Sequence, residues 1–227
     1  MGQRSRRYGL SRGVVDRTGV HGLQEALELL KTMAPARFDE TVECSVQLGI
    51  DPRHSDQQVR GSISLPHGTG QARTVAVFAE GEAADAARQA GADHVGGDEL
   101  IQQGQDGFMD FDVALATPSM MSRIGRLGRV LGPRGLMPSP KSGTVREDVG
   151  KAVGEFKAGR IEFRNDSGGN VHVPVGKLSF SVADLVQNVQ ALIEQLVRMK
   201  PPASKGKYLR KVYVCSTMNP AVQVELE

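Results

Sequence analysis

The hydrophobic pattern near the start of the chain has two periods. Residues 23–30 repeat apolar side chains at helical spacing, whereas Thr41–Leu48 and residues 59–65 alternate apolar with polar side chains. These periods predict an amphipathic helix followed by two half-buried strands. We expect the two strands to form an antiparallel pair with one polar face.

The middle of the chain follows a different pattern. Residues 74–79 and 113–117 are short continuous apolar runs, which are typical of strands covered on both faces. Helical patterns over residues 83–90, 118–127 and 145–158 alternate with them. Alternation of this kind predicts βαβ connections around a mostly parallel sheet, in a three-layer, Rossmann-like α/β domain.

The first pattern returns after residue 159. Residues 160–164 and 171–175 are predicted to form a second strand pair around a polar, glycine-rich turn. Ser181 and Asp184 have the spacing of a capping box, which predicts the start of a long amphipathic helix. A further strand is expected over Leu209–Ser216.

These patterns predict a two-domain protein of mixed α+β and α/β class. Each flank has about 65 residues, near the lower size for an independent core, so we expect the flanks to fold together. Residues 1–67 and 159–227 would then form one split α+β domain, with an antiparallel sheet built from both chain ends. Residues 68–158 would be the inserted α/β domain. The crossings suit a hinge, at His67, Gly68, Gly159 and Arg160.

Composition narrows the class of protein. The chain has 227 residues, of which 39% are hydrophobic and 24% charged, so wholesale disorder is excluded. No apolar stretch approaches the length of a membrane span. Cys44 and Cys215 are far apart and predict neither a disulfide framework nor a zinc site, which favours a cytoplasmic protein.

The net charge of +2 argues against a nucleic-acid partner, but its distribution argues for one. Residues 1–17 contain five arginines and one acid, and residues 198–211 contain six basic residues and no acid. Residues 79–112 contain nine acids and only one basic residue. We therefore expect the basic ends to bind nucleic acid and the acidic inserted domain to face away from it.

Motifs of catalysis are incomplete. Gly68-Thr69-Gly70 begins a dinucleotide fingerprint, but Arg73 stands where its third glycine belongs. The five histidines lack metal-ligand spacing, and the paired carboxylates of the acidic middle are typical of a solvated face. A nucleotide-dependent enzyme built on the inserted domain is the rival hypothesis. We predict no catalytic residue, no metal and no cofactor.

Residues of the flanks are better candidates for binding. Arg37 could neutralise a phosphate and Phe38 could offer its ring to a base, or Phe38 could simply be a core residue. Basic side chains near the second strand pair would make a basic sheet face, namely those of Arg160, Arg164, His172 and Lys177. With only 4% aromatic residues, recognition of folded RNA by phosphates, 2′-hydroxyls and shape is favoured over stacking. Residues 216–220 could allow close backbone approach or be an ordinary turn.

Several long motifs resemble one known family. They lie at residues 37–43, 48–53, 55–61, 65–70, 131–138, 157–160, 163–166 and 216–218. In this order, and over nearly the whole chain, they resemble the L1 family of bacterial large-subunit ribosomal proteins. The longest of these motifs is Leu131-Gly132-Pro133-Arg134-Gly135-Leu136-Met137-Pro138.

The resemblance implies a fold and a role. It implies a first domain built from both chain ends and an inserted second domain. It implies a non-enzymatic monomer that binds large-subunit ribosomal RNA and forms the mobile stalk beside the exit site, where it assists release of deacylated tRNA. It also implies repression of translation through the protein's own operon mRNA, by a second use of the same surface.

The resemblance also implies RNA-binding residues. Phe38, Thr41, Ser216, Thr217 and Met218 match the family pattern, whereas Arg37 stands where lysine is more common. Asn219 stands where glycine is usual, so we expect a turn preserved by asparagine's tolerance of positive φ, with a side chain that crowds RNA. The wider predicted RNA-binding set adds Arg53, Arg60, Arg164, Asn165, His172 and Lys177.

Overall fold

The structure is a computed structural model that describes residues 5–16, 19–33 and 36–225. Arg4 and Arg17 of the basic N-terminal segment therefore lie outside the described residues. The helices are α1 (Arg6–Val14), α2 (Leu23–Thr32), α3 (Glu82–Gln89), α4 (Asp98–Gln105), α5 (Met121–Ile124), α6 (Gly128–Arg134), α7 (Val149–Lys157) and α8 (Val182–Arg198). The strands are β1 (Thr41–Leu48), β2 (Arg60–Ser64), β3 (Val75–Phe78), β4 (His94–Gly96), β5 (Val113–Ala116), β6 (Arg160–Arg164), β7 (Asn170–Lys177), β8 (Leu209–Ser216) and β9 (Val222–Val224).

The described residues form two compact units. The first unit contains residues up to Gly70 and those from Phe163 onward, and the inserted unit is Gln71–Glu162. The boundaries predicted from the sequence, after residues 67 and 158, lie a few residues earlier. Of the predicted hinge residues, His67 and Gly68 thus belong to the first unit.

The first unit is built on a four-stranded antiparallel sheet in the order β7-β1-β8-β9. Strand β1 comes from the N-terminal flank and both of its neighbours come from the C-terminal flank. The apolar side chains of β1 are buried on one face of the strand and its other face is polar. Helix α8 packs against the neighbouring strand β7, and α2 packs against β8 and β9. Burial of that alternating face explains why both flanks contribute to one core.

The predicted pairing of strands is wrong in two places. Strand β1 does not pair with β2, because both of its edges are taken by β7 and β8. Strand β2 pairs instead with β6 in a separate two-stranded sheet, so β6 and β7 do not form the expected strand pair either. Alternation identifies which face of a strand is buried, but it carries no information about the neighbouring strand.

Helix α8 begins where the capping box predicts. Ser181 is the N-cap, and its hydroxyl accepts a hydrogen bond of 3.1 Å from the backbone N–H of Asp184. Hydrogen bonds from Ser181, chiefly from its hydroxyl, also hold the pKa of Asp184 below its ordinary value. Four leucine and valine side chains of α8 face the core, namely Leu185, Val189, Leu192 and Leu196.

Removing this cap is a test of local stability. Ser181→Ala leaves the first turn of α8 without its side-chain acceptor, and we expect the free energy of unfolding to fall by about 1 kcal/mol. Urea denaturation measures the change. Ser55→Ala, at an exposed position, is the matched control and should stay within about 0.5 kcal/mol of wild type. Equal stability of the two variants would show that the cap does not stabilise α8.

The inserted unit has three layers. Its central sheet is parallel, in the order β4-β3-β5, as the continuous apolar runs predict. Helices α3 and α7 cover one face, with Phe156 in their core, and α4, α5 and α6 cover the other, with Phe78 and Leu127 in theirs. The helix predicted over residues 118–127 is a run of 3₁₀ and α turns that continues to Arg134. The helix predicted from residue 145 begins later, at Val149, after its N-cap Asp148.

The first predicted hinge segment is held within its own unit. The buried side chain of Asn188 accepts a hydrogen bond of 3.1 Å from the His67 N–H and donates one of 3.1 Å to the Gly68 carbonyl. The imidazole of His67 also lies 2.7 Å from Gln187 Oε1. Both Gly68 and Gly159 have positive φ, a conformation that glycine adopts without strain. Motion at these positions stays a prediction.

Candidate nucleic-acid interface

A buried carboxylate organises the surface next to β1. Glu40 immediately precedes β1 and is fully buried. Its oxygens accept hydrogen bonds from Ser216 Oγ at 2.7 Å, from the Met218 N–H at 3.0 Å and from Asn219 Nδ2 at 3.3 Å. The Ala36 N–H adds another at 2.9 Å. A buried anion is tolerated only with such donors, so Glu40 ties the approach to β1 to residues 216–219, here called the contact loop.

The contact loop is also joined to the first residue of β1. The Thr41 N–H donates to Thr217 Oγ1 at 3.0 Å, and the Thr217 N–H donates to the Thr41 carbonyl at 3.1 Å. Lys177 Nζ donates to Thr41 Oγ1 at 2.9 Å. Three residues that are far apart in the sequence therefore form one continuous polar surface with a cation at its edge.

Exposure separates the predicted contact residues into two groups. Phe38 is 55% exposed and Met218 is 46% exposed, and Arg37 and Thr217 are exposed as well. Phe38 is therefore a surface residue, and the alternative of a core phenylalanine is wrong. The ring of Phe38 and the thioether of Met218 are available to a ligand because both side chains are exposed.

Thr41 is half-buried, and two further predicted contact residues are the buried members of the contact loop. Ser216 is 2% exposed and Asn219 is 8% exposed, and the side chains of both are hydrogen-bonded to Glu40. The carboxylate offers the Asn219 amide a buried acceptor, which directs this side chain into the protein, and crowding of RNA by Asn219 stays a prediction. The expected positive φ is wrong, since among the described residues only glycines have one.

The polar face of the four-stranded sheet holds His172. Ser45 lies opposite both His172 and Tyr213 in the strand register, and Ser45 Oγ is 2.9 Å from His172 Nδ1. Lys211 and Asn170 border the same shallow pocket, which has a volume of about 360 Å³. Hydroxyl, imidazole and ammonium groups together can hydrogen-bond to ribose and phosphate.

A second shallow pocket, of about 370 Å³, lies beside β2 and β6. Arg60, Arg164 and Asn165 line it, as does Asp166. Hydrogen bonds, chiefly from the Asn170 N–H, hold the pKa of Asp166 below its ordinary value, so this carboxylate stays charged beside the two arginines. Asn165 Oδ1 accepts from the Val59 N–H at 2.8 Å, which gives the asparagine a structural role.

Two basic residues of the predicted RNA surface, Arg53 and Arg160, do not line either of these pockets. Arg53 is exposed in the turn that precedes β2, where its backbone N–H donates a hydrogen bond to Asp51 Oδ1. Arg160 is paired with Glu155 within the inserted unit. The guanidinium of Arg160 also lies 5.6 Å from the ring of Phe156. Arg160 is therefore held by its own unit, and the predicted basic sheet face does not include it.

Other chemistry is limited in the described chain. Burial raises the pKa of Cys44 to about 12 and that of Cys215 to about 11, so both free thiols stay protonated near neutral pH. In residues 5–16, 19–33 and 36–225, no cluster of three or more His, Cys, Asp or Glu side chains could hold a metal ion. Within the same ranges, no helix is long and apolar enough to cross a membrane.

Comparison with known proteins agrees with the motifs. The model of the Ribosomal protein L1p/L10e family matches residues 30–220. The chain belongs to this family. The resemblance inferred from the motifs is thereby confirmed, and the matched residues include both the approach to β1 and the contact loop.

A curated member of the L1p/L10e family is similar over almost its full length. The large ribosomal subunit protein uL1 of Kosmotoga olearia is 56% identical over 225 residues, which are 99% of this chain and 97% of that protein. Similarity of this extent covers both compact units and all the candidate residues. The L1p/L10e chain described here is therefore a ribosomal protein.

Sequence reasoning missed Glu40 and Arg7. Glu40 had a signal, because it extends the buried register of β1, in which positions 42, 44, 46 and 48 are apolar. An acid in a buried register must have partners, and these could have been sought. The contact of Arg7 with the loop had no local sequence signal, since its hydrogen-bond partner Asn219 is 212 positions away.

Proposed function

We propose that this protein binds large-subunit ribosomal RNA through a surface formed by Arg37, Phe38, Thr41, Thr217 and Met218. The observation that carries the proposal is the buried Glu40 network, which holds an exposed ring, a hydroxyl and a thioether on a fixed backbone. Preorganised groups bind with less loss of conformational entropy. Membership of a ribosomal protein family, and a relative named as a large-subunit protein, support RNA as the ligand.

The chemistry of this surface suits folded RNA. The ring of Phe38 can stack on a base or ribose, and Arg37 and Lys177 can neutralise phosphates. The polar sheet face around Ser45 and His172 can hydrogen-bond to 2′-hydroxyls. Because the chain has few aromatic residues, shape and backbone contacts supply most of the recognition.

The wider role that we propose follows the family resemblance. As a monomer in the cytoplasmic ribosome, without a cofactor, the protein forms the mobile stalk beside the exit site and assists release of deacylated tRNA. The split domain, residues 1–67 and 159–227, holds the ribosomal RNA, and His67, Gly68, Gly159 and Arg160 give residues 68–158 freedom to move. The same surface binds the operon mRNA in translational repression.

Additional basic residues can extend the RNA surface. Arg53, Arg60 and Arg164 lie in or near the segments around β2 and β6, where they are separate from the contact loop. We propose that this second group contacts phosphates of the ribosomal RNA or the exit-site tRNA. A footprint of the protein on large-subunit RNA, with and without tRNA, would assign each group to its ligand.

The direct test is RNA binding by the Phe38→Ala variant. We expect binding to a large-subunit RNA fragment to weaken by about 1–3 kcal/mol if Phe38 is a central contact. The free energy of unfolding should change by less than about 0.5 kcal/mol, because the ring is 55% exposed. Titration at several salt concentrations measures the affinity and its electrostatic part.

Val197→Ala is the control for Phe38→Ala, since Val197 is 51% exposed and lies on α8, outside the contact loop. It should bind RNA as the wild type does. An unchanged affinity of Phe38→Ala would remove the ring from the site. Absence of salt-sensitive binding by the wild-type protein would overturn the proposed function, and comparison with operon RNA would measure the repressor role separately.

A further inference from the structure

Arg7 joins helix α1 to the contact loop. Arg7 lies in the first turn of α1, near the N-cap Ser5. Its Nη1 donates to Asn219 Oδ1 at 3.1 Å, and its Nη2 donates to the Met218 carbonyl at 2.8 Å. One guanidinium thus binds both a side chain and the backbone of the loop, which uses the planar fork that lysine lacks.

The amide of Asn219 connects this arginine to the buried carboxylate. Its Nδ2 donates to Ser216 Oγ at 2.9 Å and to Glu40 Oε2 at 3.3 Å, while its Oδ1 faces Arg7. A carboxylate only accepts and a guanidinium only donates, so the two charges determine which end of the amide points inward. Asn219 is therefore held in one orientation between an anion and a cation.

A glycine at position 219 would lack both sets of contacts. The family resemblance implies glycine there, yet the backbone of Asn219 does not have the positive φ that requires glycine. The backbone at position 219 therefore does not require glycine, and a side chain is accommodated there without strain. In this chain the asparagine side chain supplies a donor to Glu40 and an acceptor to Arg7, so that it contributes to the attachment of α1 a hydrogen bond beside the one between Arg7 and the Met218 carbonyl.

We propose that Asn219 is a positioning residue that couples helix α1 to the contact loop. The coupling holds Met218 and Thr217 in place and sets the Arg7 cation at the edge of the loop, where an RNA phosphate can use it. This inference rests on the proposed RNA-binding function. It makes α1 part of the RNA site through a residue that does not itself contact RNA.

A double-mutant cycle in the full-length protein tests the coupling. Arg7→Ala and Asn219→Ala are each expected to weaken binding to the large-subunit RNA fragment about fivefold, and the double variant to weaken it by about the same factor. Effects that multiply would show that the two residues act independently, and would overturn the proposal. Arg12→Ala removes the same charge from the exposed side of α1 and should have a smaller effect.

Two further measurements separate positioning from charge and from folding. Arg7→Lys keeps the cation but cannot span both acceptors, so it should weaken RNA binding; wild-type affinity would show that charge alone matters and would overturn the proposal. Hydrogen exchange without RNA should become faster in α1 of Asn219→Ala and of Asn219→Gly, while α8 is unchanged. Unchanged exchange in α1 would overturn the coupling even if Phe38→Ala confirms the RNA site.

Discussion

Glu40→Ala is expected to lower the free energy of unfolding by about 3–5 kcal/mol, among the largest effects of any single substitution in this protein. The carboxylate is fully buried and accepts from Ala36, Ser216, Met218 and Asn219. Alanine would leave these donors without an acceptor in a site closed to water. Each unsatisfied buried donor costs about 1–3 kcal/mol, and partial relaxation of the loop reduces the sum.

Urea denaturation would measure this loss, with an unchanged dependence on denaturant as evidence that only stability has changed. Glu40→Gln keeps the shape but turns a donor toward the N–H groups, so it should destabilise the fold less, by about 1–3 kcal/mol. Glu43→Ala is the matched control, because Glu43 is exposed on the same strand and its loss should cost less than about 0.5 kcal/mol. A loss no larger than that of Glu43→Ala would mean that the network does not stabilise the fold.

Asn188→Ala is expected to lower the free energy of unfolding by about 2–4 kcal/mol, because it too removes a buried hydrogen-bonding side chain of the first unit. Asn188 on α8 is fully buried, and its amide donates to the carbonyls of Gly68 and Val175 while it accepts from the His67 N–H. Alanine would leave three backbone groups without this partner. The segment before the inserted unit would also lose part of its attachment to α8, of which the contact between His67 and Gln187 would remain.

Urea denaturation measures the stability of Asn188→Ala, and hydrogen exchange at His67 measures the local attachment. Exchange there should become faster than the loss of global stability alone predicts, since the His67 N–H donates to the missing side chain. Gln190→Ala, at an exposed position of the same helix, should remain within about 0.5 kcal/mol of wild type. Similar behaviour of the two variants would contradict the role of Asn188.

Local periodicity predicted the elements better than it predicted their neighbours. The alternation over β1 and the apolar run of β3 identified strands of the correct type, and the spacing of Ser181 and Asp184 located the start of α8. These features depend on residues a few positions apart, which the sequence displays directly. Helices α1 and α4 and the short strand β9 were missed, because they have weak patterns or few residues.

The exposed part of the candidate site was predicted from the sequence, but the buried residues that support it were not. Phe38, Thr217 and Met218 were named from motifs and are at the surface. Ser216 was named with them and is buried, because position 216 continues the inward-facing register of β8. Glu40 has the same parity on β1, so a parity argument would have identified both residues as support.

The family, the types of the main elements and the exposed candidate residues Phe38, Thr217 and Met218 could be predicted from the amino-acid sequence alone. These properties depend on residue identity and short-range order. By contrast, the position of β1 between β7 and β8, and the orientation of the Asn219 side chain toward Glu40 and Arg7, became apparent only in the folded protein. Such contacts join residues up to 212 positions apart, and their partners depend on how complete elements pack, which no local pattern specifies.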